Sequence, residues 1–438
     1  MISTERLDTL RAAVQAAPLR PLTGSVSELR GPIIRARLSG AKIGGLCWID
    51  RGADAPLRAE VVGIDGSVAI LSPFGLTEGL SEGAVIRPAS GQLTLTAGTG
   101  LLGRIVDAFG TPVDGKGPIK GPTVSFPVRC AAPDPVSRPL VDTPLPTGVR
   151  SIDGMATLAR GQRVAIFGPP GTGKSSLLAS IARGARADVI VIGLVGERGR
   201  EVREFTERDL SAAARERVVC VAATSDRPAV ERVLCAQSAT AIAEYFRDQG
   251  KSVLLMIDSL TRTARALREV GLAAGEAPTR RGYPASVYPA LPAIIERAGR
   301  TNSGDITALY TVLVEDEGEG DPIADEVRSL TDGHLTLSRK LAEAGHWPAI
   351  DPLDSLSRLM GAVTTPDHVA AAGLARRHLS KFRDIELLLQ VGQYTEGADI
   401  EADAAIAAKP ALDRFLQQTG GTVEAWSGLR TKLAEAVK

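Results

Sequence analysis

Gly168-Pro169-Pro170-Gly171-Thr172-Gly173-Lys174-Ser175 is the stretch on which the fold turns. It fits the GxxxxGK[ST] pattern, follows the apolar run Val164-Ala165-Ile166-Phe167 and leads into a helical pattern through Ser176-Leu177-Leu178. A strand, a glycine-rich turn and a helix in that order curl backbone N–H groups and a helix N-terminus onto phosphate oxygens. The spacing predicts a nucleotide, ATP or ADP, cradled by Gly168, Pro169, Pro170, Gly171, Thr172, Gly173, Lys174, Ser175 and Ser176. Lys174 would reach the β- and γ-phosphates and Ser175 would ligate Mg2+. The competing reading, a chance glycine-rich turn, leaves the flanking strand and helix patterns unexplained.

Around this loop, apolar runs at 163–167, 189–195, 218–222, 253–257 and 306–314 alternate with helical stretches. Continuous apolar strands separated by helices imply a parallel sheet covered on both faces, so the fold class is α/β with a RecA-like P-loop NTPase core. Lys251-Ser252-Val253-Leu254-Leu255-Met256-Ile257-Asp258 is such a strand ending in an acid. Taken alone, an Asp there is more often a turn or helix cap. Downstream of a P-loop it becomes the candidate that organises Mg2+, acting through water.

Glu197 follows the run 189–195 at the edge where such sheets hold ligands, and is the candidate to orient an attacking water. Its neighbours Arg198, Arg200 and Arg203 leave a second reading open, in which 196–204 is a solvated helix start with internal ion pairs.

The flanks read differently. Residues 21–98 contain short β-rich runs, 45–49, 59–62, 67–71 and 84–86, between glycine-containing turns, which suggests an N-terminal β-barrel. Nine prolines across 111–147 exclude continuous helix or central strand, leaving an extended entry segment to a domain spanning 99–355. After 356 the β signal fades, and Ala-, Leu-, Arg- and Glu-rich stretches at 370–389 and 423–437 suggest a C-terminal helical domain to 438. Residues 1–20 place Leu7, Leu10 and Val14 at helical spacing, an amphipathic segment or a frayed terminus.

At 438 residues the chain has room for two or three domains. Its 51 basic and 51 acidic residues give zero net charge, so no global field favours nucleic acid or an anionic membrane. The four cysteines, Cys47, Cys130, Cys220 and Cys235, are far apart, which argues against a disulfide framework or structural zinc and fits a reducing cytosol. Charges among the first residues argue against a signal peptide, and no apolar run is long enough to span a bilayer.

Gly196-Glu197-Arg198-Gly199-Arg200-Glu201-Val202-Arg203-Glu204-Phe205 resembles a signature of the type III protein export ATPases, relatives of rotary ATP synthase catalytic subunits. The resemblance continues through Asp258-Ser259-Leu260-Thr261-Arg262, Gly271-Leu272-Ala273-Ala274-Gly275-Glu276, Arg281-Gly282-Tyr283-Pro284 and Pro322-Ile323-Ala324-Asp325-Glu326-Val327-Arg328-Ser329, in collinear order over about 98–403. It implies a homo-hexamer with nucleotide at subunit interfaces, Glu197 as catalytic carboxylate with Arg198 as its ion-pair partner, and Arg358 as an arginine finger entering the neighbouring site. The bland reading of Arg358 is an intrasubunit salt bridge. Trp347 stands where related proteins usually carry Tyr, a position implied to stack on adenine; a buried core Trp is the alternative. His346 beside it has no role, since no two histidines sit at metal-ligand spacing.

The same resemblance implies a coiled-coil stalk partner near 387–403, a regulatory dimer at the N-terminal segment, and contacts with an export gate, chaperones and secretion substrates. It implies a cytoplasmic protein peripherally associated with an inner-membrane export apparatus. The flagellar apparatus is the first reading and an injectisome the alternative. A rotary synthase subunit and a RecA-type RNA translocase stand further off. The barrel offers only Trp48 and Phe74 for stacking on bases, and no nucleic-acid partner is expected.

Overall fold

A computed structural model describes residue 11 and residues 23–89, 91–314 and 320–438. The amphipathic segment expected at 1–20 lies outside the described residues apart from Arg11. Contacts divide the chain into two compact units, one holding residues up to 93 with 228–230 and 269–277, the other holding the rest.

In the first unit, Gly24–Arg30, Ile33–Arg37, Leu46–Arg51, Asp54–Asp65, Val68–Pro73 and Val85–Pro88 close into an antiparallel barrel. Ile34, Cys47, Ile49, Leu71 and Ile86 fill its interior, while Trp48, between two of them, points outward. The period of two is the whole of the barrel's logic. It also explains why the first two strands are faint in the sequence. Glu28, Arg30, Arg35 and Arg37 occupy their outer face and break up the apolar runs.

The second unit is built on a nine-stranded sheet. From one edge to the other its strands are Ile350–Ser357, Gly333–Leu337, Arg163–Gly168, Asp305–Leu313, Ser252–Asp258, Val189–Val195, Val218–Ala223 and Ile105–Val106, with Gly299–Arg300 beside Asp305–Leu313. All pairs are parallel except those of Ile350–Ser357 and Gly299–Arg300. Val189–Val195 and Ser252–Asp258 are buried along their entire length, as strands covered on both faces must be. The proline-rich stretch contributes one strand, Val124–Pro127, paired with Thr94–Ala97 away from the main sheet.

Three helices, Pro366–Gln390, Ile400–Leu416 and Trp426–Ala436, follow in the same unit. Ala375, Leu412, Phe415, Leu429 and Leu433 form their shared core, and Met155 from the short helix Arg150–Met155 joins it. The middle helix is masked in the sequence by its acidic start. Asp399 turns out to be its cap, accepting hydrogen bonds from the N–H groups of Glu401 and Ala402 and pairing with Lys381 at 2.6 Å.

Candidate active site

The strand Arg163–Gly168 delivers the glycine-rich loop to the carboxyl edge of the sheet, and the helix Lys174–Gly184 leaves from it. Gly173 caps that helix at φ 81°, in the left-handed region. A Cβ there would lie 2.7 Å from Cζ3 of Trp347, so the position is closed to side chains on two grounds. Gly173→Ala is therefore expected to weaken ATP binding about tenfold or more, read by titration calorimetry; unchanged affinity would count against this loop as the nucleotide cradle.

Lys174 folds back over the loop, its Nζ donating to the carbonyls of Gly168 at 2.8 Å and Pro169 at 2.6 Å. Burial lowers its pKa to about 8, against the pull of Asp258 and Glu197. Ser175 is exposed at the start of the helix.

Asp258 ends its strand in the same place, with its carboxylate accepting from Thr311 Oγ1 at 2.6 Å. It is only 7% exposed. Burial raises its pKa, opposed by the Thr311 hydrogen bond and the charge of Lys174. A hydroxyl and a buried carboxylate flanking a phosphate cradle are hard oxygen donors, the set that suits a magnesium ion shared with substrate phosphates.

Glu197 follows Val189–Val195 at the same edge, so the sheet brings Lys174, Asp258 and Glu197 together although they span 84 positions of sequence (258 − 174). Its ion-pair partner is not Arg198, which is exposed. Arg262, on the helix Leu260–Ala273, takes that place: its Nε lies 2.9 Å from Oε1, and its Nη2 donates to Oε2 at 3.1 Å. The chain turns into the helix Gly199–Glu204 immediately after Arg198, which carries that side chain into solvent. Arg262 is in the quoted Asp258-to-Arg262 motif, one helical turn past Asp258, and that spacing is the signal for its role. Burial raises the Glu197 pKa, reinforced by a hydrogen bond with Glu201 and by the charge of Asp258.

The remainder of the charge run is a solvated helix, as its pattern allowed. Arg200 pairs with Glu204 at 3.8 Å and Arg203 with Glu207 at 3.1 Å, all on the exposed face. The solvated reading of 196–204 thus holds for Arg200, Arg203 and Glu204, while Glu197 faces Arg262 at the sheet edge.

Beside the loop lies a cavity of about 830 Å³ lined by Gly173, Ser176, Trp347, Arg414, Gln418 and Thr422, among others. Trp347 is 42% exposed and stands against Gly173, so it is no core residue. The far wall comes from the segment after Ile400–Leu416, which no motif announced.

Arg358 is elsewhere. Its N–H donates to the Asp332 carbonyl, and the Asp332 N–H donates to the Arg163 carbonyl, at the start of the strand whose other end is the P-loop. Five residues of strand, roughly 17 Å, separate the two edges of the sheet. The guanidinium is exposed and forms no intrasubunit salt bridge with the described residues.

Comparison with known proteins matches each part of this architecture. The ATP synthase alpha/beta family nucleotide-binding domain matches residues 148–357, its beta-barrel domain residues 26–89, and the T3SS EscN ATPase C-terminal domain residues 364–435. A type 3 secretion system ATPase of Sinorhizobium fredii is 47% identical over 414 residues, 94% of this chain and 92% of the relative. A flagellum-specific ATP synthase of Treponema pallidum is 46% identical, covering 90% of this chain and 88% of that protein. The assembled ATPase EscN in complex with its central stalk EscO, from the enteropathogenic E. coli type III secretion system, superposes with a TM-score of 0.87 at 43% identity, over 95% of this chain and all of that one. With its barrel, its P-loop core and its C-terminal helices each matched in order, the chain belongs to the family of type III secretion ATPases.

Proposed function

We propose that this chain hydrolyses MgATP at the interfaces of a homo-hexameric ring and thereby energises type III protein export. The observation that carries the reading is the split of the site: Lys174, Asp258 and Glu197 share one edge of the sheet, and Arg358 lies at the opposite edge, so only a second copy could bring it to the phosphates.

In this mechanism the Lys174 ammonium, freed from the loop carbonyls, pairs with β- and γ-phosphate oxygens. Ser175, and Asp258 through water, would hold a magnesium ion, whose charge would neutralise that of the phosphates. Glu197, ionised, accepts a hydrogen bond from water and orients it for attack. Arg358 of the neighbour stabilises the charge on the transferring phosphoryl group. Trp347 offers its face to the base.

The connection between the helices Pro366–Gln390 and Ile400–Leu416 supports a stalk contact. Leu387, Val391 and Ile400 are 68%, 57% and 85% exposed there, an apolar surface at residues 387–400. Tyr394, donating to Asp403 at 2.7 Å, pins the loop that presents them. No helix among the described residues is long and apolar enough to cross a membrane, which accords with peripheral attachment to an export apparatus at the inner membrane's cytoplasmic face. A regulatory dimer at residues 1–20, and chaperones, substrates and export gate as partners, complete the proposal on family resemblance.

Against an RNA translocase, Phe74 is buried in the barrel, leaving Trp48 as its exposed ring. A rotary synthase subunit is disfavoured by the match of residues 364–435 to a secretion-type C-terminal domain. The flagellar reading and the injectisome reading draw on relatives of near-equal identity, 46% and 47%. Secretion-system names are the more frequent among these relatives. Deleting the gene in its own host separates them: lost motility with intact effector secretion supports the flagellum, and the reverse an injectisome.

The ring itself is tested by phosphate release over a protein concentration series with sedimentation in parallel. Specific activity should climb as hexamers form. Activity independent of concentration would sink the interface mechanism.

A further inference from the structure

In the segment that walls the base cavity, Gln418 makes the most side-chain hydrogen bonds to the rest of the domain among the described residues. Gln418 lies two residues past the helix Ile400–Leu416, and its backbone N–H donates to the Trp347 carbonyl at 2.8 Å. Its side-chain amide makes three hydrogen bonds. Oε1 accepts from the Arg150 N–H at 2.9 Å, and Nε2 donates to the carbonyls of Gly148 and Thr422, each at 2.8 Å. Around it, Arg150 also donates to the Gln417 carbonyl, and the Glu424 N–H donates to Gly148 at 2.9 Å. Gly148, at φ 75°, admits this approach only without a side chain, since a Cβ would meet Val423 at 2.6 Å.

With both N–H donors and one acceptor site of its amide committed to the protein, Gln418 has no donor left to read the edge of a base. What it controls is position. The side chain holds the chain entering the helix Arg150–Met155 and so fixes residue 418 itself, whose backbone N–H holds the peptide of Trp347, the residue whose ring rests against Gly173 of the P-loop. Because Gln418 is two residues past the end of a 17-residue helix, the placement of that whole helix is passed to the Trp347 ring through this joint.

We propose that Gln418 is a positioning residue that sets Trp347 in the base cavity and so couples the C-terminal helices to nucleotide affinity, a role that rests on the nucleotide-site reading above. Gln418 touches no phosphate-binding group, so its loss should act on the base end of the nucleotide alone.

The test uses the full-length chain with Trp48→Phe and Trp426→Phe, leaving Trp347 as the sole tryptophan of three. Gln418→Met keeps the length and removes all three side-chain hydrogen bonds. It is expected to raise KM for ATP about tenfold with kcat within about twofold, and to shift the MgADP titration of Trp347 emission by the same factor. The inhibition constant of tripolyphosphate, which lacks a base, should stay unchanged. Gln418→Glu keeps the acceptor for Arg150 and loses both donors; it should move in the same direction and stands in if the Met variant does not fold. Parental KM and emission in both variants would overturn the proposal, as would parallel loss of tripolyphosphate binding, which marks general damage. A parent chain that neither hydrolyses ATP nor changes Trp347 emission with MgADP would overturn the nucleotide reading first, and this one with it.

Discussion

Glu197→Gln is expected to bind ATP as tightly as the parent while turnover falls about a thousandfold. The amide is isosteric and still accepts a hydrogen bond from water, but it can neither take a proton nor carry the charge that polarises the nucleophile; positioned general bases contribute about 10²–10⁴ in rate. The substitution also replaces an ion pair with Arg262 by a neutral contact, so the guanidinium at 34% exposure remains hydrated and the fold should persist. Phosphate release measured beside a nucleotide titration separates binding from chemistry. Turnover within tenfold of the parent would remove Glu197 from the mechanism. Arg198→Ala provides the contrast: its side chain is exposed, and its removal should change turnover by less than about threefold.

Arg358→Ala should lower turnover by about three orders of magnitude in assembled rings, the range associated with an arginine finger, and leave oligomer formation intact. Its decisive test is mixing. Each active site in the ring would draw Glu197 from one subunit and Arg358 from the next. Equal amounts of Glu197→Gln and Arg358→Ala subunits, co-assembled at random, would then restore about a quarter of the sites. A finger acting within its own subunit predicts no recovery at all. The placement of Arg358 at the start of the P-loop strand, roughly 17 Å of strand from the loop itself, is the reason to expect recovery.

Both predictions concern residues visible in the sequence, yet they were visible in different ways. Lys174, Ser175 and Asp258 follow from local order: a strand, a glycine turn, a helix, and a second apolar strand ending in an acid. Glu197 was ambiguous on the residues alone, because a charged helix start and a catalytic carboxylate have the same composition. Family resemblance implies the catalytic role and supplies Arg198 as partner, where the fold supplies Arg262, 65 positions away. In the C-terminal region only the structure shows that Asp399 caps a helix and that Asp403 holds Tyr394.

The sequence by itself determined the parallel core, the presence of a barrel and the glycine-rich loop between strand and helix, since each depends on periodicity or spacing within a few dozen residues. Only the tertiary structure decided which groups face each other across those elements: Arg262 on Glu197, Trp347 on Gly173, Gln418 between Trp347 and Arg150, and Arg358 at the far edge of its own sheet. Those contacts join distant segments, and no local pattern encodes them, because strand order and helix placement, not spacing along the chain, set which side chains meet.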